Sequence, residues 1–377
     1  MKPIIRAVRL EKLEIIMISN FKFNLIKDFL GYNSTRDKTN LNPGYFVRGS
    51  KNVYKKESGT ISVRPGLKRR GSADTTVAGV HSSFEWEAST GSVKPLRVCN
   101  SKLQVESDII TSGTYVWYDL MTSLTLTRFV FETWWDNAVK RDILLFVKGD
   151  TNLHKWSGGL GKIVSTTSNT VVLNAAAATL GFMTTGSVLI NGNTYTYTGI
   201  TSATLTGVSG DPTGEAANSV VLQAITTSAT TPASDLTNDF LKVIHNQVYV
   251  GSYSSRLIYV SKDDAYTDYT QATPRIPGDG ELITLDNLGR GIGVIGGEAY
   301  ITAGSNDWYK VAFKQTAVST TLTEQTIVDK LETSGLEAAL GHEYISNIGD
   351  SIVFLSRGHE LKILGTFVNY SKPSFAS

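Results

Sequence analysis

The sequence predicts an all-β fold, and three observations carry that prediction. From about residue 46, short runs rich in Val, Ile, Tyr, Phe and Thr alternate with turns rich in Gly, Asn, Asp and Ser. No stretch after residue 40 holds a long apolar period of 3.6 residues. A turn followed by an apolar strand recurs five times, at residues 100–105, 141–147, 246–250, 297–301 and 350–354.

The recurrences define the architecture. A second strand follows several of them after a polar turn, at 153–156, 256–260, 307–311 and 360–364. The spacing is 51 residues from Gln247 to Glu298, 53 from Glu298 to Ser351, and 41 from Ser101 to Asp142. Several strands per unit at such a period predict a β-propeller. One four-stranded blade cannot bury both of its faces, whereas stacked blades cover one another. A β-sandwich of regular hairpins is the competing architecture.

Residues 161–235 break the rhythm. They hold 17 threonines and only four charged residues, Lys162, Asp211, Glu215 and Asp235. Val188, Ile190, Tyr195 and Tyr197 alternate around Asn191-Gly192-Asn193, a turn sequence that tolerates positive φ. This predicts a hairpin in a small inserted β domain lying between two blades. A disordered Thr/Ser loop would not need that alternation. The expected organisation is an N-terminal arm (1–45), the first part of the propeller (46–160), the insertion (161–235) and the second part of the propeller (236–377). Helix is expected only at 329–340, near 24–30 and within 1–14, where Leu10, Leu13 and Met17 share a side. Glu11 and Glu14 interrupt any signal-peptide core, and Met17 is an alternative start.

Composition narrows the function. The chain has 377 residues, 41% hydrophobic and 19% charged, enough apolar material for a core. Its longest aliphatic run, 15–18, is far short of the roughly 18 residues of a membrane helix. A single cysteine, Cys99, excludes an internal disulfide framework and a multi-thiolate metal site, and five scattered histidines disfavour a His cluster. The net charge of +2 hides an asymmetry: residues 1–80 carry 16 basic and 6 acidic residues, leaving 20 and 28 for residues 81–377. A basic end fits an acidic partner, either a neighbouring protein, another copy of this chain, or nucleic acid, and equally fits a plain solvated basic face.

Motifs for chemistry are few. Gly291, Gly293 and Gly296 match a dinucleotide fingerprint in text, but a strand, not a helix, is expected next. Residues 157–162 resemble a phosphate loop with the wrong spacing and Ile163 in place of Ser or Thr. His342-Glu343 and His359-Glu360 lack the second histidine of a zinc protease and read as equivalent turn or strand-edge positions. Asp263, Asp264 and Asp268 do not follow a calcium loop. Trp134, Trp135 and Asp136 are the candidate sugar site, because propeller glycosidases draw carboxylates from separate blades. Adjacent tryptophans in a β protein are more often one in the core and one on the surface. The expectation is no enzyme, cofactor or metal.

The most specific segment lies at 28–71. It contains Leu41-Asn42-Pro43-Gly44, then Asn52-Val53, Gly59 and Arg64-Pro65-Gly66, with Lys68, Arg69 and Arg70 just beyond. The pattern reads as a turn, a strand, a hairpin turn at 56–59 and a returning strand at 60–64. This order resembles the N-terminus of β-propeller tail proteins of tailed bacteriophages, among them hub, nozzle and stabilisation proteins. Residues 348–356 and the Thr-rich insertion also look like that family, more loosely. The resemblance implies a structural virion protein in the tail, a homo-oligomeric ring that joins adjacent tail proteins and lets DNA pass, with no membrane insertion. It brings no catalytic residue. Arg64, Lys68, Arg69 and Arg70 are the candidate partner interface. Such proteins are often longer, so the blade number stays open, and the chain could be a fragment. The alternative is a carbohydrate-binding or carbohydrate-cleaving propeller that contacts a host surface.

Overall fold

The computed structural model describes residues 80–88, 92–107, 116–125, 129–229, 237–318, 321–331 and 337–365, together with strand segments at 31–32, 45–46, 53–55, 61–63 and 374–376. The chain divides into two compact units, Met1–Arg69 and Arg70–Ser377. In the first, β1 (Gly31–Tyr32) pairs in parallel with β2 (Tyr45–Phe46), and β3 (Val53–Lys55) pairs antiparallel with β4 (Ile61–Val63). The latter pair lies where the sequence predicts a hairpin. The helices expected within 1–14 and near 24–30 fall outside the described residues.

The second unit is a β-propeller of five four-stranded antiparallel blades. Blade 1 comprises β5 (Val80–Glu87), β6 (Val93–Cys99), β7 (Lys102–Glu106) and β8 (Trp117–Met121). Blade 2 begins with β9 (Val130–Asp136), β10 (Arg141–Val147) and β11 (Asn152–Trp156). The chain then leaves the blade through β12 (Leu160–Thr167), β13 (Thr170–Leu173), β14 (Gly186–Ile190), β15 (Asn193–Tyr197), β16 (Gly199–Thr201), β17 (Thr204–Thr206) and β18 (Val220–Gln223). These seven strands make one sheet of their own, in the order β15-β14-β18-β12-β13-β17-β16. Only then does β19 (Thr226–Ala229) return and pair with β11 as the fourth strand of blade 2. The insertion therefore sits inside a blade, not between two.

Blade 3 is β20 (Phe240–Ile244), β21 (Gln247–Gly251), β22 (Leu257–Val260) and β23 (Glu281–Thr284). Blade 4 is β24 (Gly289–Ile295), β25 (Glu298–Ala303), β26 (Asp307–Val318) and β27 (Thr321–Lys330). Blade 5 is β28 (Ile345–Ile348), β29 (Ser351–Leu355), β30 (Leu361–Gly365) and β31 (Ser374–Ala376). The helix expected at 329–340 does not form over its described residues. Asp329 and Lys330 instead pair with Lys310 and Tyr309 in the β26–β27 hairpin, because cross-strand pairing overrides local preference.

Stacking explains the apolar pattern. In β10, Leu144 and Phe146 pack toward blade 1, while Ile143, Leu145 and Val147 pack toward blade 3. All five are fully buried, so the strand reads as a continuous apolar run. Further clusters join blade 3 to blade 4 around Phe240, Ile258 and Ile301, and blade 4 to blade 5 around Trp308, Ile352 and Phe354. In the second strand of blade 5, β29, half-buried and buried positions alternate instead, and β6 of blade 1 alternates from the exposed Val93 to Val98 before ending on the buried Cys99.

The insertion has its own core of Ile163, Val171, Phe182, Val188 and Tyr197. Side-chain hydrogen bonds fasten it to blade 2. Trp156 Nε1 donates to Gln223 O (2.9 Å), and Arg141 Nη1 donates to Phe182 O (3.0 Å). Within blade 2 itself, the buried His154 on β11 contacts Asp150 through Nε2 (3.1 Å) and Thr227 on the returning strand β19 through Nδ1 (3.1 Å).

The glycine motif belongs to packing. Gly291 and Gly293 lie in β24, where a Cβ on Gly293 would come within 2.6 Å of Ile352 and one on Gly291 within 2.8 Å of the His342 backbone. Blade 5 rests directly on that backbone, so no nucleotide-binding turn exists there. Gly293→Ala is expected to destabilise the fold by about 1–3 kcal/mol through overpacking. Gly214→Ala, which meets nothing within 4 Å, should stay within about 0.5 kcal/mol of the parent. Denaturant melts of both variants check this contrast.

Candidate functional site

The first strands of successive blades lie side by side, β9 against β20, β20 against β24, and β24 against β28. They form the inner layer of the propeller. Three of them carry a charged residue near their start: Glu132 in Val-Phe-Glu-Thr, Lys242 in Phe-Leu-Lys-Val, and Arg290 in Gly-Arg-Gly. Glu132 and Lys242 meet across blades 2 and 3, with Nζ 2.6 Å from Oε1. Both are mostly buried, with side chains 18% and 22% exposed. Burial pushes the Glu132 carboxyl above its usual range, and the Lys242 charge pulls it back without cancelling the shift. Arg290 Nε is buried without a hydrogen-bond partner.

His342 closes this layer toward blade 5. Its Nδ1 accepts from Ile292 N (3.2 Å), its own N donates to Tyr253 Oη (3.0 Å), and its ring stacks on Phe240 at 5.7 Å. Burial, with a smaller contribution from the Lys242 charge, lowers its pKa to about 3, against a hydrogen bond with the Leu241 backbone. His342 is thus a neutral structural ring near pH 7. His359 is exposed in the turn before β30, so the two His-Glu pairs do not occupy equivalent positions.

A second cluster ties blade 3 to blade 4. The buried Arg275 guanidinium pairs with Glu324 and with Glu281 (3.3 Å), donates to Asp279 O (2.8 Å), and lies 4.7 Å from the Phe313 ring. Glu324 N in turn donates to Arg275 O (3.0 Å), seating the long β26–β27 hairpin on the blade 3 loop. A cleft of about 340 Å³ beside it is lined by His245, Asp263, Glu298 and Glu324. Burial raises the Asp263 carboxyl, and the Asp264 and Glu324 charges add to it. Glu324 and Glu298 are committed to cations, Arg275 and Lys310 respectively, so the acids here act as ties between strands.

The sequence candidates fall elsewhere. Trp134 is 2% exposed, donates to Asn246 O (3.0 Å), and packs with Tyr266 in the core between blades 2 and 3. Trp135 is on the surface, 39% exposed, and Asp136 caps the following turn through Ala138 N (2.9 Å). One tryptophan is core and one is surface. Asp268 caps Thr270 and pairs with Lys262 (3.0 Å), and Asp264 receives a hydrogen bond from Asn246. The phosphate-loop lookalike is the crossing into the insertion, with Gly158 packed on Trp86. Among the described residues, no group of three or more His, Cys, Asp or Glu is placed to hold a metal ion. Arg64, Lys68, Arg69 and Arg70 lie outside the described residues.

No protein-family model matches the chain, and no curated protein matches it.

Linear reading missed Glu132–Lys242 because its partners stand 110 residues apart. The available signal was a charge set among apolar residues, Glu132 after Val130-Phe131 and Lys242 within Phe-Leu-Lys-Val-Ile. Lys242→Met should cost about 3 kcal/mol by stranding a buried carboxylate, and adding Glu132→Gln should restore much of it. A double-mutant cycle in urea measures the coupling. For His342, the unfolded chain takes up a proton near pH 6.5 and the folded chain only near 3. Acidification through that window therefore favours unfolding, by up to about 1.4 kcal/mol per pH unit. Stability measured between pH 7 and 4 should fall less steeply in His342→Gln than in the parent.

Proposed function

We propose that this chain is a structural component of a tailed-bacteriophage virion, a hub- or nozzle-like propeller that joins adjacent tail proteins. The observation that carries the reading is the Leu41-Asn42-Pro43-Gly44 to Arg64-Pro65-Gly66 segment standing ahead of a five-bladed propeller. Both halves of that arrangement agree with the tail-protein resemblance.

The mechanism is mechanical. Apolar clusters and the Glu132–Lys242 and Arg275–Glu324 ties make neighbouring blades one stiff wall. Loops at the blade ends, and the inserted domain, dock onto neighbouring proteins. The basic N-terminal region, with Arg64, Lys68, Arg69 and Arg70, seats on an acidic surface, either of a tail neighbour or of the next copy in a homo-oligomeric ring. The excess of acidic residues over 81–377 suits a wall past which DNA slides without sticking.

Light scattering after size exclusion, at low and moderate salt, tests the assembly. The expected result is a discrete particle of several 41.0 kDa copies, and replacing Arg64, Lys68, Arg69 and Arg70 by Glu should dissociate it. A monomer that also fails to bind purified tails, and is absent from virions by mass spectrometry, would overturn the reading.

A further inference from the structure

We propose that the cleft between the outer strand of blade 1 and the inserted domain binds a neutral oligosaccharide. The cleft has a volume of about 670 Å³, and its lining includes Trp117, Tyr118, Asp119, Gln104, Asn191 and Thr194. That volume lies within the range of roughly 300–1,000 Å³ typical of small-molecule sites. The inference stands apart from the tail reading, since it rests on this cleft alone.

One wall comes from β7 and β8. Trp117 and Tyr118 are consecutive and half-buried, so they flank the strand edge on opposite faces. Aromatic faces and edges of this kind accept the C–H faces of sugar rings. Beside them runs a fixed chain of planar polar groups. Arg97 Nε donates to Gln104 Oε1 (2.8 Å), Gln104 Nε2 donates to Asp119 Oδ1 (2.7 Å), and Lys102 Nζ meets Asp119 Oδ2 (2.8 Å). The Arg97 guanidinium also lies 4.2 Å from the centre of the Trp117 ring and holds it in place. Groups already oriented by one another need little reordering when a ligand arrives.

The other wall is the tip of the β14–β15 hairpin. Asn191 and Gly192 form its turn with φ of 50° and 87°. Asn191 Nδ2 is held by Glu215 Oε2 (2.7 Å) and Ser219 Oγ (3.1 Å), which points the amide and leaves Oδ1 to accept from a ligand. Leu189, Val220 and Leu222 pack into the apolar cluster of blade 1, so the two walls keep a fixed separation.

Charge decides the ligand class. Arg97 and Lys102 on one wall are balanced by Asp119 beside them and by Glu215, which holds Asn191 on the other, so the cleft has no cation in excess. A phosphate or nucleic-acid ligand would want cations in excess. An apolar ligand would strand the polar chain unsatisfied. A neutral, multiply hydroxylated ligand uses both the aromatic rings and the planar polar groups.

The test titrates the full chain with maltotriose, cellotriose and chitotriose, and with anionic polysialic acid as the contrast, read by saturation-transfer NMR and calorimetry. At least one neutral trisaccharide should bind with a Kd of about 1 mM or tighter. Trp117→Ala should weaken it more than tenfold. Asn191→Gly should weaken it as well while keeping the turn, because glycine accepts positive φ. Trp135→Ala, at the exposed tryptophan remote from the cleft, should leave it unchanged. The proposal is overturned if no neutral saccharide binds at about 10 mM, if only the anionic one does, or if Asn191→Gly and Trp117→Ala both bind like the parent.

Discussion

A four-stranded sheet has two faces, and in this chain the inner blades must cover both with other blades. That constraint organises the rest. It makes Ile143 to Val147 apolar at every position, since odd residues face one neighbour and even residues the other. It requires Gly291 and Gly293 to be glycine, because blade 5 approaches the β24 backbone too closely for a Cβ. In the inner layer, Glu132 and Lys242 find each other across two blades, and farther out Arg275 on the blade 3 loop pairs with Glu324 of blade 4. Such pairs add little net stability against apolar replacements but penalise any slip of one blade against the next.

The propeller was legible because its repeating unit is local. Strand, turn and strand follow one another within about a dozen residues, and turn residues such as Gly296-Gly297 and Asn246 mark each unit. The register was less legible. The recurrence at 100–105 supplies the third strand of its blade, whereas the other four supply the second. Cys99 and Val98 in the true second strand sit beside Arg97 and Pro95, and that mixed pattern hides it. A face without a neighbouring apolar cluster does not print a continuous run.

The candidate sites divided along the same line. Trp134 and Trp135 drew attention as a pair, but strand alternation sends them to opposite faces, one into the core and one to solvent. The cleft at Trp117 and Tyr118 could not be read, because its second wall arrives from Asn191 and Thr194, more than 70 residues later in sequence. Nothing in β8 announces that an inserted hairpin will stand opposite. His342 illustrates the converse. The sequence reads His342-Glu343 as a turn or strand-edge position equivalent to His359-Glu360, whereas its ring serves as a neutral spacer between Phe240 and the β24 backbone.

The placement of the insertion has a consequence for how the molecule is made. Blade 2 lacks its last strand until the seven strands of β12–β18 have been synthesised, since β19 follows them. During that interval β11 presents an unpaired edge on the growing chain, open to wrong partners. The insertion folds around its own core and sets β18 and β19 down within two residues of each other, beside the waiting edge. A long loop closure is thereby replaced by a short one between already folded parts, which lowers the entropic barrier to completing the blade. The added domain acts, on this view, as a built-in chaperone for the sheet it interrupts.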